Sequence, residues 1–184
     1  VISNSPARYT SSRASMSTAA LMSVEEYLET SFEDGDREFI DGELLERNLG
    51  EISHSDIQTL LSAWFVAKRR VPGVYPLIGV RVRVSPTRYR VPDVTVVRGE
   101  KPSGRVITEP PFLVIEILSP EDRASRTEEM IDDYIRAGVR FVWVIDPETG
   151  KGHIYTQDRR IAVEDGVFRA EDPQIEVHFA ELAA

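Results

Sequence analysis

The stretch "PFLVIEILS", residues 111–119, places one carboxylate, Glu116, in the middle of an apolar run. Such a run is typical of a strand that is buried on both faces of a sheet. An ionised carboxylate in these surroundings is disfavoured unless it is paired, hydrogen-bonded or bound to a metal ion. Glu116 is therefore either a functional carboxylate or one that is satisfied internally, for example by an arginine of the 81–90 segment.

A second carboxylate out of place is Asp93, in "RVPDVTVV" at residues 90–97. Alone it is typical of a turn after proline. It also opens a strand that can pair beside the strand of Glu116. Two ionised carboxylates about 4 Å apart repel by roughly 1 kcal/mol in water and about 4 kcal/mol at an effective dielectric near 20. Because Mg²⁺ typically binds one or two carboxylates together with waters and phosphates, the pair predicts a site for a divalent cation such as Mg²⁺.

The rest of the chain predicts an α/β fold, a mixed β-sheet flanked by helices, with an N-terminal hairpin. Ser23 and Glu26 have the spacing of a capping box. Asp41-Gly42 is a strong hairpin signal, and Gly138 ends a helix. The other predicted elements are a helix at 53–70, strands at about 74–78, 80–85, 93–98, 112–118 and 141–145, a weaker hairpin around Asp165-Gly166, and a short terminal helix.

Residues 1–22 are predicted to be a disordered N-terminal extension, because they are rich in Ser, Thr and Ala and contain no acidic residue. Met16 and Met22 are both plausible start residues. Residues 23–184 are predicted to form a single domain. The chain has no cysteine and no apolar run of the roughly 20 residues that cross a bilayer, so we expect a cytoplasmic protein.

The charge distribution is uneven. The formal net charge is −9, which argues against a protein that coats nucleic acid. Between residues 81 and 98, however, five arginines accompany one acidic residue. Their alternation puts two pairs each on one strand face. The four candidates for contacts with a phosphodiester backbone, which could equally be solvated surface side chains, are Arg81, Arg83, Arg88 and Arg90.

Five segments in this order resemble one known family. They are "FIDGELLE", "SHSDIQTLL", "RVPDVTVV", "PPFLVIEILSPEDR" and "YIRAGVRFVWVIDPETG". Together they resemble the Uma2-type restriction-endonuclease-like family, formerly a domain of unknown function, of the PD-(D/E)XK nuclease superfamily. The resemblance implies a restriction-endonuclease-like fold and Mg²⁺- or Mn²⁺-dependent hydrolysis of phosphodiester bonds in DNA.

The resemblance also implies roles for individual residues. Asp93 and Glu116 would be metal ligands, with the backbone carbonyl of Ile117 as a third. Glu43 matches an upstream acidic position, and it either approaches the metal or is an exposed hairpin residue. His54 matches an early helix histidine, and it either caps the helix and borders the core or takes part in the site.

The sequence departs from the family pattern in its basic residues. The superfamily's lysine, two residues after the glutamate, is Leu118 here, and the basic residue of the next helix is Met130. Arg126 lies one turn earlier on the same helix face. It would bring a positive charge to the site, although its high pKa makes it a poor proton carrier.

Three functions remain open at this point. The first is a metal-dependent endonuclease, with a homodimer expected by analogy with the superfamily. The second is a catalytically degenerate nuclease fold that binds nucleic acid or protein without cleavage. The third is an acid–base hydrolase such as a glycosidase, which uses Asp93 and Glu116 without metal. If either carboxylate is replaced by alanine, we expect a fold that is intact or more stable, because a buried charge is removed.

Overall fold

The computed structural model describes residues 21–33, 37–47, 51–67, 73–120 and 122–182. Four helices lie in these ranges: α1 (Val24–Glu29), α2 (Ile52–Ala67), α3 (Ala124–Ala137) and α4 (Phe179–Leu182). Most of the predicted extension lies outside them. Met22, its last residue, donates its N–H to the carbonyl of Gly42 at 2.9 Å.

The same ranges contain thirteen strands. They are β1 (Glu38–Ile40), β2 (Glu43–Leu45), β3 (Val74–Leu77), β4 (Arg81–Ser85), β5 (Arg88–Arg90), β6 (Val94–Arg98), β7 (Val106–Ile107), β8 (Leu113–Ile117), β9 (Phe141–Ile145), β10 (Gly152–Tyr155), β11 (Arg160–Val163), β12 (Val167–Ala170) and β13 (Ile175–His178).

These strands form two mixed sheets and a separate hairpin. The five-stranded sheet has the order β2-β1-β5-β4-β7, and the six-stranded sheet has the order β11-β10-β9-β8-β6-β3. In the larger sheet β8 and β9 are parallel and the other neighbours are antiparallel. The predicted α/β layout is therefore confirmed, with the strands divided between two sheets.

Both faces of the six-stranded sheet are covered, which explains the continuous apolar runs of β8 and β9. On one face, Leu61 and Phe65 of α2 belong to a core cluster with Ile115 and Trp143. On the other, Tyr134 of α3 belongs to a cluster that includes Val114 and Val142. A strand between two helical layers has no solvent-facing side, so the usual alternation of polar and apolar residues is lost.

Local signals in the sequence correspond to observed boundaries. Ser23 and Glu26 form the capping box of α1. Asp41 and Gly42 have φ angles of 52° and 99° in the turn between β1 and β2, and Gly138 ends α3 with a φ of 96°. These turns need the left-handed region, which glycine enters at no steric cost.

The predicted hairpin around Asp165-Gly166 is wrong. β11 pairs with β10 in the six-stranded sheet, whereas β12 pairs with β13. The turn is present, but the two strands that flank it belong to different sheets, so this local turn signal does not specify a pairing.

None of the helices in the described part of the chain is long and apolar enough to cross a membrane.

A buried ion-pair network ties the five-stranded sheet to α3. Arg90 on β5 is 1% exposed. It donates from Nη1 to Oε2 of Glu38 at 2.8 Å, and from Nε and Nη2 to Oδ2 of Asp133 at 2.9 and 2.6 Å. Arg88 bonds the other oxygen of Asp133 at 2.6 Å, and also bonds Asp41 and Glu129.

The structure thus gives three of the four candidate phosphate-contacting arginines another role. Arg90 and Arg88 hold carboxylates, and Arg81, which is buried, donates to the carbonyls of Tyr27 and Thr30 at 2.8 and 2.9 Å. These side chains are aimed inward because the carboxylates and helix-end carbonyls that they satisfy lie inside the fold. Arg83 is exposed, so its phosphate contact stays a prediction.

We predict that Arg90→Ala lowers the free energy of unfolding by about 3–5 kcal/mol, because it leaves Glu38 and Asp133 buried beside an empty space. Arg83→Ala is the matched control, since its side chain is exposed, and it should change stability by about 0.5 kcal/mol or less. Urea denaturation of both variants measures the difference. Equal stabilities would contradict a structural role for Arg90.

Candidate active site

The pairing of β6 with β8 brings the two predicted ligands together. Val94 lies opposite Ile115 in an antiparallel register. Continued by one residue, this register places Asp93 opposite Glu116, on the same face. Side chains in such pairs have Cβ atoms about 4.5–5.5 Å apart. Both are buried, with Asp93 3% and Glu116 7% exposed.

Asp93 is held by four groups. Its Oδ2 accepts from the N–H of Ile117 at 2.8 Å and lies 3.2 Å from Nε2 of His54. Its Oδ1 forms an ion pair with Nη2 of Arg47, and its backbone carbonyl accepts from Gln58 at 2.8 Å. Burial alone would raise the pKa of Asp93, but the hydrogen bond with His54 and the charge of Arg47 outweigh it and lower this pKa below its usual value. Asp93 is therefore ionised at neutral pH.

Glu116 has the opposite environment. Burial and then the negative charge of Asp93 raise the pKa of Glu116 well above its usual value, although Tyr134 donates its hydroxyl to Oε1 at 2.6 Å. Burial and the neighbouring Glu116 also raise the pKa of Tyr134, so this hydroxyl stays a donor. The two carboxylates thus differ in proton affinity although they lie side by side.

Two charged residues of the site were missed in the sequence. Glu38 on β1 is 4% exposed and lines the same cavity as Asp93 and Glu116. Arg47 lies between β2 and α2, where no periodic pattern indicates its direction. The sequence does contain an indication for Glu38, because this acidic residue begins a short strand and is followed directly by the apolar residues Phe39 and Ile40.

Glu43, the predicted upstream acid, is exposed on β2 and is not among the residues that line the cavity. Glu38 lies there instead, since β1 and not β2 pairs with β5. His54 does contact Asp93, which agrees with the alternative that placed it in the site.

The cavity between these side chains has a volume of about 70 Å³. One water needs roughly 10–15 Å³ on this measure, so the cavity is large enough for an ion and a few waters. Leu118 and Met130, at the two positions where the resemblance implied basic residues, line it as well. Arg126 is also at its wall, where it donates to the carbonyl of Glu46 at 2.9 Å and lies 3.8 Å from Oε2 of Glu38.

The donor set suits a hard cation. Within the described ranges no group of three or more acidic or histidine side chains is arranged to hold a metal ion. Mg²⁺, however, is usually bound through one or two carboxylates and keeps several waters. Asp93 and Glu116 provide two carboxylates whose mutual repulsion a dication would relieve. The ligand role of the Ile117 carbonyl stays a prediction.

The fold and the paired carboxylates define a restriction-endonuclease-like protein. The Uma2 family, described as "Putative restriction endonuclease", matches residues 24–182. The chain therefore belongs to the Uma2 family.

A solved structure has the same fold. It is described as a "putative nuclease belonging to DUF820 from Anabaena variabilis", and it is similar with a TM-score of 0.73 and 18% sequence identity. The alignment covers 86% of this chain and 95% of that one. No curated protein matches this sequence.

The two carboxylates should respond oppositely to neutralisation. Glu116 has a raised pKa, so its carboxyl group binds a proton more tightly in the folded state than in the unfolded state. The free energy of unfolding therefore falls as the pH rises above about 4.3, the ordinary pKa of glutamate. We predict that Glu116→Gln raises the free energy of unfolding at pH 7 by about 1 kcal/mol or more, with a smaller gain toward pH 4.

Asp93 has a lowered pKa, so its ionised form stabilises the folded state at pH values above about 3.9. This stabilisation is lost as the pH falls. Asp93→Asn should therefore lower the free energy of unfolding at pH 7 by about 1–3 kcal/mol, which revises the expectation that removing either charge is harmless. Urea denaturation at pH 4 and pH 7 measures both variants. A stabilised Asp93→Asn protein would contradict the ion pair with Arg47.

Proposed function

We propose that the protein is an endonuclease that hydrolyses phosphodiester bonds of DNA with Mg²⁺ or Mn²⁺. The observation that carries the proposal is the cross-strand pair of buried carboxylates, of which Asp93 is kept ionised. Carboxylate oxygens placed opposite each other on neighbouring strands are ligands of the type that Mg²⁺ binds in proteins. Membership of the Uma2 family, with its nuclease description, supports the same reaction class.

The surrounding residues would prepare the two ligands. The N–H of Ile117 and the ring of His54 hold Oδ2 of Asp93 and fix the orientation of the carboxylate. Tyr134 fixes Glu116 in the same way through Oε1. When bound, a divalent ion makes water a stronger nucleophile and offsets the charge that grows on the phosphate oxygens.

Phosphate binding would fall to two exposed arginines, of which Arg126 lines the cavity of the carboxylates and Arg83 does not. Arg126 reaches the cavity wall with a side chain that is 39% exposed, and Arg83 is exposed on β4. Both carry a charge at any physiological pH, which suits contacts with a phosphodiester backbone. The homodimer and the cytoplasmic location stay predictions.

A degenerate module that binds without cleavage is the second candidate. It is favoured by Leu118 and Met130, which put apolar side chains on the cavity wall at the positions where the family has basic residues. It is also favoured by the net charge of −9. Both candidates keep the same fold, so activity separates them.

We predict that the wild-type protein nicks supercoiled plasmid with Mn²⁺, and that Asp93→Asn and Glu116→Gln lower the nicking rate by a factor on the order of a hundred or more. The loss follows from removing several kcal/mol of transition-state stabilisation. Glu43→Gln is the matched control, because this carboxylate is exposed away from the cavity, and it should nick like wild type.

Undiminished nicking by purified Asp93→Asn would contradict the assigned site. Wild-type protein that binds DNA without nicking would favour the degenerate module. A Glu43→Gln protein that loses activity would restore the family's upstream acid as a functional residue.

A further inference from the structure

Arg47 is a basic residue of the site that none of the sequence motifs indicated. Its guanidinium forms an ion pair with Oδ1 of Asp93, and its side chain is 31% exposed. Burial disfavours its charge, but the nearby carboxylates of Asp93, Glu116 and Glu38 outweigh this effect and raise the pKa of Arg47. The side chain therefore remains a cation next to the carboxylate pair.

The other charges around the cavity have different partners. Glu38 is bonded by Arg90 at 2.8 Å, and the closest approach of Arg126 is 3.8 Å from that same carboxylate. Glu116 is bonded by Tyr134, a neutral donor. Among the described residues, Arg47 is thus the arginine that forms an ion pair with Asp93.

The oxygen that Arg47 uses is also the one best placed to bind a metal ion. Oδ2 of Asp93 is engaged by the N–H of Ile117 and by His54, whereas Oδ1 faces Arg47. A monovalent and a divalent cation at the same oxygen repel each other strongly in a partly buried site.

We propose that Arg47 competes with the divalent cation for Oδ1 of Asp93, so that this tethered arginine lowers the metal affinity of the site and must leave the carboxylate when metal binds. The inference rests on the proposed metal-dependent function. It adds a positioning residue that controls metal loading, and it explains how a buried carboxylate pair is tolerated without metal.

The test is calorimetric titration of Mn²⁺ into five proteins: wild type, Arg47→Ala, Arg47→Gln, Asp93→Asn and Arg136→Ala. Arg47→Gln keeps most of the side chain, so it covers the case in which Arg47→Ala fails to fold. We expect both Arg47 variants to bind Mn²⁺ about tenfold more tightly than wild type, which corresponds to about 1.4 kcal/mol. Arg136 is 75% exposed and does not line the cavity, so Arg136→Ala loses the same formal charge and should bind Mn²⁺ like wild type.

The remaining outcomes separate this inference from the proposed function. Unchanged or weaker binding in the Arg47 variants, with binding lost in Asp93→Asn, would overturn the competition and leave the metal site in place. No binding in any protein, or wild-type binding by Asp93→Asn, would overturn both. Tighter binding in the Arg47 variants without plasmid nicking would support the competition and contradict the nuclease assignment.

Discussion

The guanidinium of Arg90, buried between Glu38 and Asp133, is the contact on which the arrangement of the site depends. It joins β5 and β1 of the five-stranded sheet to α3, the helix that covers one face of the six-stranded sheet. Glu38 lies on β1 of the five-stranded sheet, and Arg47 follows β2 of the same sheet. Asp93 directly precedes β6 of the six-stranded sheet, and Glu116 lies on β8 of that sheet. Because every charge in the network has a partner, the buried ions are tolerated.

Within the site, two adjacent carboxylates have been given different proton affinities. His54, Arg47 and a backbone N–H favour the ionised form of Asp93, whereas burial and the charge of Asp93 favour the protonated form of Glu116. Environments that separate the pKa values of neighbouring acids are frequent in catalytic sites. The ionised form of Asp93 needs a cation beside it, and Arg47, which lies between β2 and α2, provides that charge.

The sequence predicted those parts of the site that depend on one strand and its apolar neighbours. Glu116 stood out because it interrupts a buried run, and Asp93 because its strand can pair beside it. The hairpin at Asp41-Gly42 followed from the backbone needs of a tight turn. These signals are local, so they survive without knowledge of the tertiary structure.

The direction of the arginines could not be predicted in the same way. The alternation of side chains along a strand shows that Arg88 and Arg90 share one face, but it does not show which face the core will cover. That is decided by α3, and in particular by its Asp133, which lies more than forty residues further along the chain. Glu38 was passed over in favour of Glu43 for a similar reason, since the choice depends on which strand of the hairpin pairs with β5.

The register of β6 against β8 has a consequence for how relatives of this protein should be recognised. The two carboxylates meet because they are opposite each other across a ladder, and the number of residues between the strands plays no part in that meeting. An insertion in the connecting segment leaves the pair in place, whereas a single residue inserted inside either strand turns one carboxylate toward α2 and separates it from its partner. A sequence search for relatives should therefore allow any number of residues between the two strands. It should keep fixed whether each carboxylate has an odd or an even position along its own strand, because that decides on which face of the sheet the side chain lies.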